Sequence, residues 1–246
     1  MNLKFKSSEL SNKLIFISKA LNKADLDDMI ITFNSTAIGL AVFLHSNNYN
    51  ISFIEKDALI EKDGKTSLML GDLIDLVNRN QPLSFNSSNE KVLIDDLWEI
   101  YSVNIEEINL KVTPMGEKIE LDQQEVVKLI KHLKLANKFL KKTQDIETLY
   151  LKIALNKNNI AITNFSFTDY QTNIFDINRS GDTKFNLFLN KNGIKLISNL
   201  FNKSDLAIIK SEDKTFFENN IYAVEIKEEK LNKNLYDFNN FIKRWK

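Results

Sequence analysis

An internal repeat constrains the fold of this chain more than any other feature. Leu3-Lys4-Phe5 alternates apolar and polar side chains, and Ile119-Glu120-Leu121 repeats that strand-like pattern 116 positions later. A helix start follows each strand, at Ser7-Ser8-Glu9 in the first copy and at Asp122-Gln123-Gln124-Glu125 in the second. The sequence therefore predicts two similar halves, each opening with a strand and a helix.

Each half also contains two apolar stripes at helical spacing. The first helix of each half has its stripe at Leu10, Leu14, Ile17 and Leu21, or at Val126, Leu129, Ile130, Leu133 and Leu140. A second, shorter helix is predicted at 71–80, with Leu73, Leu76 and Val77, and at 190–203, with Ile194, Ile197 and Phe201. Four helices are therefore expected to pack on sheets.

Alternating runs supply those sheets. They lie at 29–33, 51–54, 149–155, 160–165 and 222–226. The order strand, helix, three strands, strand, helix and three strands predicts an α+β fold of two tandem domains, each with two helices packed on antiparallel sheets. Pro114 and Gly116 mark a linker, which gives domains at 1–112 and 113–228 and an amphipathic tail at 229–246.

Composition excludes several classes of protein. With 43% hydrophobic and 27% charged residues, the chain is neither disordered nor embedded in a membrane. The absence of cysteine excludes disulfides and thiolate chemistry and fits a reducing compartment. The first residues lack a signal-peptide pattern, and the longest apolar run, 37–44, is too short to span a bilayer. We expect a cytoplasmic protein without a membrane partner.

Catalytic patterns are sparse. His45 and His132 are 87 positions apart, neither lies beside a ligand pattern, and His132 is interpreted as a solvated surface imidazole. The six glycines form no phosphate-binding loop. We expect no enzyme activity, metal or cofactor; a hydrolase of unrecognised type is the remaining alternative.

The formal charge of zero hides a segregation of charge. The predicted helices at 7–23, 71–80, 123–142 and 190–203 carry thirteen basic and four acidic residues, so the rest of the chain carries a net charge of −9. Such lysines are typical of a solvated helix face, or of a surface that binds a polyanion. Because the chain has only three arginines, phosphate contact is favoured over base reading, although a low-GC coding bias explains the shortage equally well. The candidate DNA contacts are Lys13, Lys19, Lys23, Arg79, Lys128, Lys131, Lys134, Lys138, Lys195 and Lys203.

Three segments carry a resemblance to a known family. Residues 3–10, leading into Leu14, Ile17, Ser18, Lys19 and Ala20, resemble the first strand and helix of the bacterial DNA polymerase sliding clamp, the beta subunit. Residues 164–175 resemble the clamp strand with an Ala-Thr-Asp-Gly-His-Arg-Leu signature, of which Thr168 and Asp169 remain. Tyr170, Gln171 and Thr172 replace its Gly-His-Arg. Residues 184–201 resemble the strand and helix that follow.

This resemblance implies two tandem DNA-clamp domains in a ring, with sheets outside, helices lining the hole and duplex DNA threaded through without sequence preference. The bacterial clamp has three domains per subunit, so a six-domain ring of this chain implies a homotrimer in which neighbours share sheet edges. The implied partners are a DNA polymerase, of a phage, plasmid or other mobile element, and a clamp loader. Thr168 and Asp169 would line the peptide pocket. The alternative is a clamp-fold interaction module, either a monomeric accessory DNA-binding subunit or a regulator of clamp partners, that forms no closed ring.

The tail carries a further apolar stripe. Leu231, Leu235, Phe238 and Ile242 fall at i, i+4, i+7 and i+11 and predict one face of a helix. This helix either packs on its own domain, or docks on a neighbouring subunit or mimics the peptides that clamps bind. Leu235, Phe238 and Ile242 are therefore candidate partner contacts.

Overall fold

The predicted repeat is present in the order of the elements. The computed structural model describes residues 1–77, 81–88, 90–103, 116–142, 150–155, 159–165, 170–177, 185–202, 204–212 and 214–228. The first half contains β1 (Asn2–Phe5), α1 (Glu9–Ser18), α2 (Lys23–Asp27), β2 (Ile30–Thr36), β3 (Gly39–His45), β4 (Tyr49–Glu55), β5 (Ala58–Lys62), β6 (Lys65–Met69), α3 (Leu70–Leu76), β7 (Ser84–Ser87), β8 (Lys91–Ile94) and β9 (Trp98–Tyr101). The second half contains β10 (Glu117–Leu121), α4 (Gln123–Lys142), β11 (Tyr150–Leu155), β12 (Asn159–Phe165), β13 (Tyr170–Asp176), β14 (Phe185–Leu189), α5 (Lys191–Leu200), β15 (Leu206–Lys210), β16 (Lys214–Glu218) and β17 (Tyr222–Lys227).

Strand pairing repeats as well. The described strands form three antiparallel sheets in the orders β5-β1-β7-β8-β9, β10-β15-β16-β17-β4-β3-β2-β6 and β13-β12-β11-β14. The order β6-β2-β3-β4 of the first half matches β14-β11-β12-β13 of the second, and β1-β7-β8-β9 matches β10-β15-β16-β17. The α+β prediction with antiparallel sheets is confirmed. The predicted boundary at residue 112 lies outside the described residues and stays a prediction.

The first predicted helix, 7–23, is wrong in its extent. It is divided into α1 and α2, so the first half has one helix more than expected. The backbone turns after Ser18, and the Asn22 side chain accepts a hydrogen bond from the Asp25 N–H at 2.7 Å. Asn22 is thus the N-cap of a new helix, which the apolar stripe continuing to Leu21 had concealed.

Helix α4 has the predicted start. The Asp122 N–H donates to Glu125 Oε2 at 3.0 Å, and the Glu125 N–H donates to Asp122 Oδ1 at 2.9 Å. This reciprocal capping box satisfies two donors that the first turn of a helix leaves unpaired. The predicted stripe is buried at Val126, Leu129, Ile130 and Leu133.

The two halves meet in a continuous sheet. β17 of the second half pairs with β4 of the first, placing Val224 opposite Ile51 and Tyr222 opposite Phe53. The Phe53 and Tyr222 rings make an edge contact at 5.6 Å, and Val224 and Ile51 are buried. Both halves therefore share one hydrophobic cluster at this junction.

Candidate nucleic-acid interface and sheet edges

The face of α4 opposite its buried stripe carries four of the candidate lysines. Lys128, Lys131, Lys134 and Lys138 are all exposed, and within the described part of the chain none forms an ion pair. The one acidic residue of α4, Glu125, is buried in the capping box. The exposed face of this helix is therefore positive and accessible to a polyanion.

Helix α5 adds to this positive region. It packs against α4 and carries Lys191 and Lys195, both half-buried, and no acidic residue. Together α4 and α5 carry eight basic residues and one acidic residue.

Lys13, on α1, is in a different environment. Its Nζ lies 2.8 Å from Glu55 Oε2 and 2.7 Å from Glu9 Oε1, and the Glu55 side chain is only 2% exposed. Burial by itself lowers the pKa of Lys13, but the hydrogen bonds that Lys13 donates to Glu55 and Glu9, with the charges of these carboxylates, outweigh it and raise the pKa above its ordinary value. Two carboxylates beside the domain junction therefore neutralise this candidate charge.

The helices of the first half differ from those of the second in the sign of their net charge. Lys19 and Lys23 are exposed, but α1, α2 and α3 together carry two basic residues against five acidic ones. The predicted excess of basic residues on the helices therefore does not extend to the described helices of the first half. In the described helices, positive charge is concentrated on α4 and α5.

The remaining predicted contacts lie outside the described residues. They are Arg79, Lys203, Thr168, Asp169, Leu235, Phe238 and Ile242. In the part of the chain that is described, no helix is long and apolar enough to cross a bilayer.

The resemblance implied that neighbouring subunits share sheet edges but did not identify the strands, and two of the sheet edges that no other described strand covers are relevant to this sharing. β9 and β13 are edge strands, and internal equivalence makes them the counterparts of β17 and β4, which pair with each other. Trp98 and Tyr101 on β9 are 55% and 73% exposed, and Ile174 on β13 is 63% exposed. Alternation of side chains identified strands, but which strand would remain uncovered depends on tertiary pairing.

Polar groups are buried under α4 beside the β13 edge. The His132 ring stacks on Phe175 at 4.9 Å with its Nδ1 buried, so the predicted solvated imidazole is only partly exposed. Burial, and then the charge of Lys131, lowers the pKa of His132. Asn164 is fully buried, and neither of its amide atoms, nor Asn173 Nδ2, has a hydrogen-bond partner among the described residues. A buried polar atom without a hydrogen-bond partner costs about 1–3 kcal/mol of stability. Such atoms are uncommon in the closed core of a folded protein.

Comparison with known proteins supports the fold. No family model and no curated protein matches the chain. Among solved structures, the Helicobacter pylori beta clamp bound to a DNA ligase peptide is 12% identical with a TM-score of 0.73, and the match covers 98% of this chain and 69% of the clamp. The Streptococcus pneumoniae DNA polymerase III beta chain is 12% identical with a TM-score of 0.72, covering 97% and 67%. The Bacillus subtilis DNA polymerase sliding clamp is 12% identical with a TM-score of 0.71, covering 98% and 67%. The chain therefore has the fold of the bacterial DNA polymerase sliding clamps and spans about two thirds of the length of those it matches.

Proposed function

We propose that this chain is a DNA sliding clamp, a polymerase processivity factor that encircles duplex DNA without sequence specificity as a six-domain homotrimer. The observation that carries this proposal is the row of exposed, unpaired lysines on α4, in a chain whose duplicated fold matches sliding clamps. Its role would be that of a tether: it makes and breaks no bond, and it raises the effective concentration of a polymerase at the template.

The lysine row suits sequence-independent contact with a duplex. A lysine ammonium is a mobile point charge that binds phosphates, whereas recognition of base edges relies on arginine forks. Lys128, Lys131 and Lys138 would displace counterions from the DNA backbone, which makes binding depend steeply on salt.

The free edges support a ring. β9 is the last strand of the five-stranded sheet, and β13 is the last strand of the four-stranded sheet. β9 of one copy can therefore pair with β13 of the next in a head-to-tail manner. Repetition of such an interface closes a ring when its rotation fits, and three copies of a two-domain chain supply six domains.

Peptide partners form the second part of the proposal. The H. pylori clamp among the similar structures is bound to a DNA ligase peptide. For this chain we propose a polymerase and a clamp loader as partners, with Thr168, Asp169, Leu235, Phe238 and Ile242 as candidate contacts. Deletion of residues 229–246 should weaken binding of a partner or assembly of the ring; unchanged sedimentation and affinity would exclude the tail from both.

Native mass and DNA topology test the ring. At micromolar concentration we expect a species of three times 28.5 kDa. Once loaded on circular duplex, it should remain bound at salt that removes a surface-bound protein, and it should slide off after linearisation. Release from circular and linear DNA at the same salt concentration would contradict encirclement.

Charge reversal tests the lysine row. Lys128→Glu, Lys131→Glu and Lys138→Glu together should lower DNA affinity and reduce the slope of log affinity against log salt by about three. Lys56→Glu, Lys62→Glu and Lys65→Glu change net charge equally at exposed positions outside the helices and serve as the matched control. Equal loss of affinity in both triple variants would reject α4 as the contact surface.

The net negative charge of the helices in the first half favours a second candidate function. Because α1, α2 and α3 carry more acidic than basic residues, a single chain could bind DNA on the α4 side alone, as a monomeric interaction module. That function predicts a native mass of 28.5 kDa and no dependence on the topology of the DNA.

A further inference from the structure

The pairing of β17 with β4 inside the chain is a template for strand pairing between two copies of the chain. The β3–β4 ladder ends at the pair His45 and Asn50, and the β12–β13 ladder ends at the pair Phe165 and Tyr170. Positions 120 apart therefore correspond, and Ile51 matches Gln171. In the other sheets, Leu3 and Ile119 occupy equivalent positions. The strand registers on either side of these two residues show which positions are equivalent in the two halves. Phe85 corresponds to Ile208, Ile94 to Phe217 and Trp98 to Val224.

Transfer of the register to the free edges gives a specific pairing. Within the chain Val224 lies opposite Ile51 and Glu225 lies opposite Asn50. Their counterparts place Trp98 of one copy opposite Gln171 of the next, and Glu99 opposite Tyr170. Val224 and Ile51 are each 1% exposed, whereas Trp98 is 55% exposed and Gln171 is also exposed. The free edges therefore lack the cover that the inner junction has.

The two junctions differ in chemistry. Where the first half has Leu44, Ile51 and Phe53, the second half has Asn164, Gln171 and Asn173 on the core side of the sheet. Asn164 is fully buried, and among the described residues no group bonds to its amide atoms or to Asn173 Nδ2. At the position opposite the counterpart of Gln171, β17 has Val224, which offers no hydrogen-bonding group, whereas the indole of Trp98 joins an apolar ring to an N–H donor.

We propose that the polar edge of β13 is the docking site for β9 of a second copy of this chain, with Trp98 seated on the core side against Gln171. Gln171 pairs with Asn164 across the β12–β13 ladder and so lies between Asn164 and the incoming indole. The Trp98 N–H donates to the Gln171 amide oxygen, and the Gln171 amide group is then oriented toward Asn164. A strand with an apolar residue opposite Gln171 would leave these amides without a hydrogen-bond partner. This difference favours β9 of another copy as the strand that pairs with β13. This inference rests on the proposed ring.

Engineered cysteines test the register, because the chain has none of its own. Glu99→Cys with Tyr170→Cys retains Trp98 and Gln171, and under mild oxidation it should give a disulfide-linked trimer in non-reducing electrophoresis. Glu99→Cys with Gln171→Cys is displaced by one position, so its two side chains point to opposite faces and should not cross-link.

A substitution that removes only the Trp98 N–H tests whether its hydrogen bond contributes to assembly. Trp98→Phe retains an aromatic ring without an N–H, and it should raise the concentration needed for half-assembly about tenfold. Tyr101→Phe, on the same strand, is the control and should leave assembly unchanged.

The outcomes separate the inference from the function. A trimer that cross-links only through the displaced pair, or that is unaffected by Trp98→Phe, overturns this docking mode and leaves the ring intact. A wild-type chain that stays monomeric at all concentrations overturns the ring, and this inference with it.

Discussion

At the scale of residues, the two halves differ most in how buried polar groups are satisfied. In the first half Lys13 and Glu55 neutralise each other beside the junction, with the Lys13 Nζ 5.5 Å from the centre of the Phe53 ring. In the second half His132 on α4 and Asn164 on β12 have buried polar atoms without a hydrogen-bond partner among the described residues. Desolvation therefore has to disfavour the charged form of His132.

We expect His132 to make stability depend on pH. Its pKa is lower in the folded chain than the value of about 6.5 in an unfolded one, so the unfolded state binds more protons. This contribution is fully present above pH of about 6.5, and it is lost as the pH falls toward the folded pKa. His132→Phe should reduce the fall in the free energy of unfolding between pH 7.5 and pH 5, as measured by urea denaturation.

His45→Gln provides the comparison, because His45 is the chain's other imidazole and is exposed. If His132→Phe and the wild type lose the same stability over this range, His132 is not responsible for the dependence.

At the scale of elements, the lysines proposed to contact DNA are expected to reduce the stability of α4. Six lysines on twenty residues repel one another, and this repulsion would favour unfolding of the isolated segment. Its buried stripe and its N-terminal capping box offset that repulsion. The same lysines would provide the DNA contact of the proposed clamp.

Removal of the cap should therefore be measurable. We expect Asp122→Ala to lower the free energy of unfolding by about 1 kcal/mol, because the Glu125 N–H loses its acceptor. Gln124→Ala, at an exposed position in the same turn, is the matched control. Equal urea midpoints for the two variants would show that the cap contributes nothing to stability.

At the scale of the whole molecule, a polar network supports the β17–β4 junction. Asp25 on α2 accepts hydrogen bonds from Asn48 Nδ2 at 3.1 Å and from Asn192 Nδ2 at 3.0 Å. The Tyr49 hydroxyl donates to Asn190 Oδ1 at 2.9 Å. α2, the β3–β4 connection and the start of α5 are thereby held together, so this network stabilises the position of one half relative to the other.

Asp25→Ala should loosen that junction. It removes two hydrogen bonds and leaves the half-buried Asn192 amide without its acceptor, so we expect a loss of about 2 kcal/mol in the free energy of unfolding. Amide hydrogen exchange should become faster in β4 and β17, whose ladder crosses the junction. Asp27→Ala, at an exposed position of the same helix, should leave both quantities unchanged. Protected β4 and β17 amides in Asp25→Ala would contradict this role.

Much of the fold followed from local pattern. The start of α4, its buried face and several strands could be predicted because helical and strand periodicities are visible within a few residues. The break at Asn22 could not, because the apolar stripe continues past it to Leu21. Within the candidate site, the α4 lysines could be placed on an exposed face, but the neutralisation of Lys13 depends on Glu55, 42 positions away.

By itself the sequence determined the repeat, the helical stripes and the excess of lysine on helices, since each is a property of residues near one another along the chain. Only the tertiary structure decided which of the described strands lie at sheet edges, that positive charge in the described helices is concentrated on α4 and α5, and that Asn164 and the His132 Nδ1 are buried. Pairing, burial and neutralisation join residues that are distant in the chain, and no local pattern records which of those residues meet.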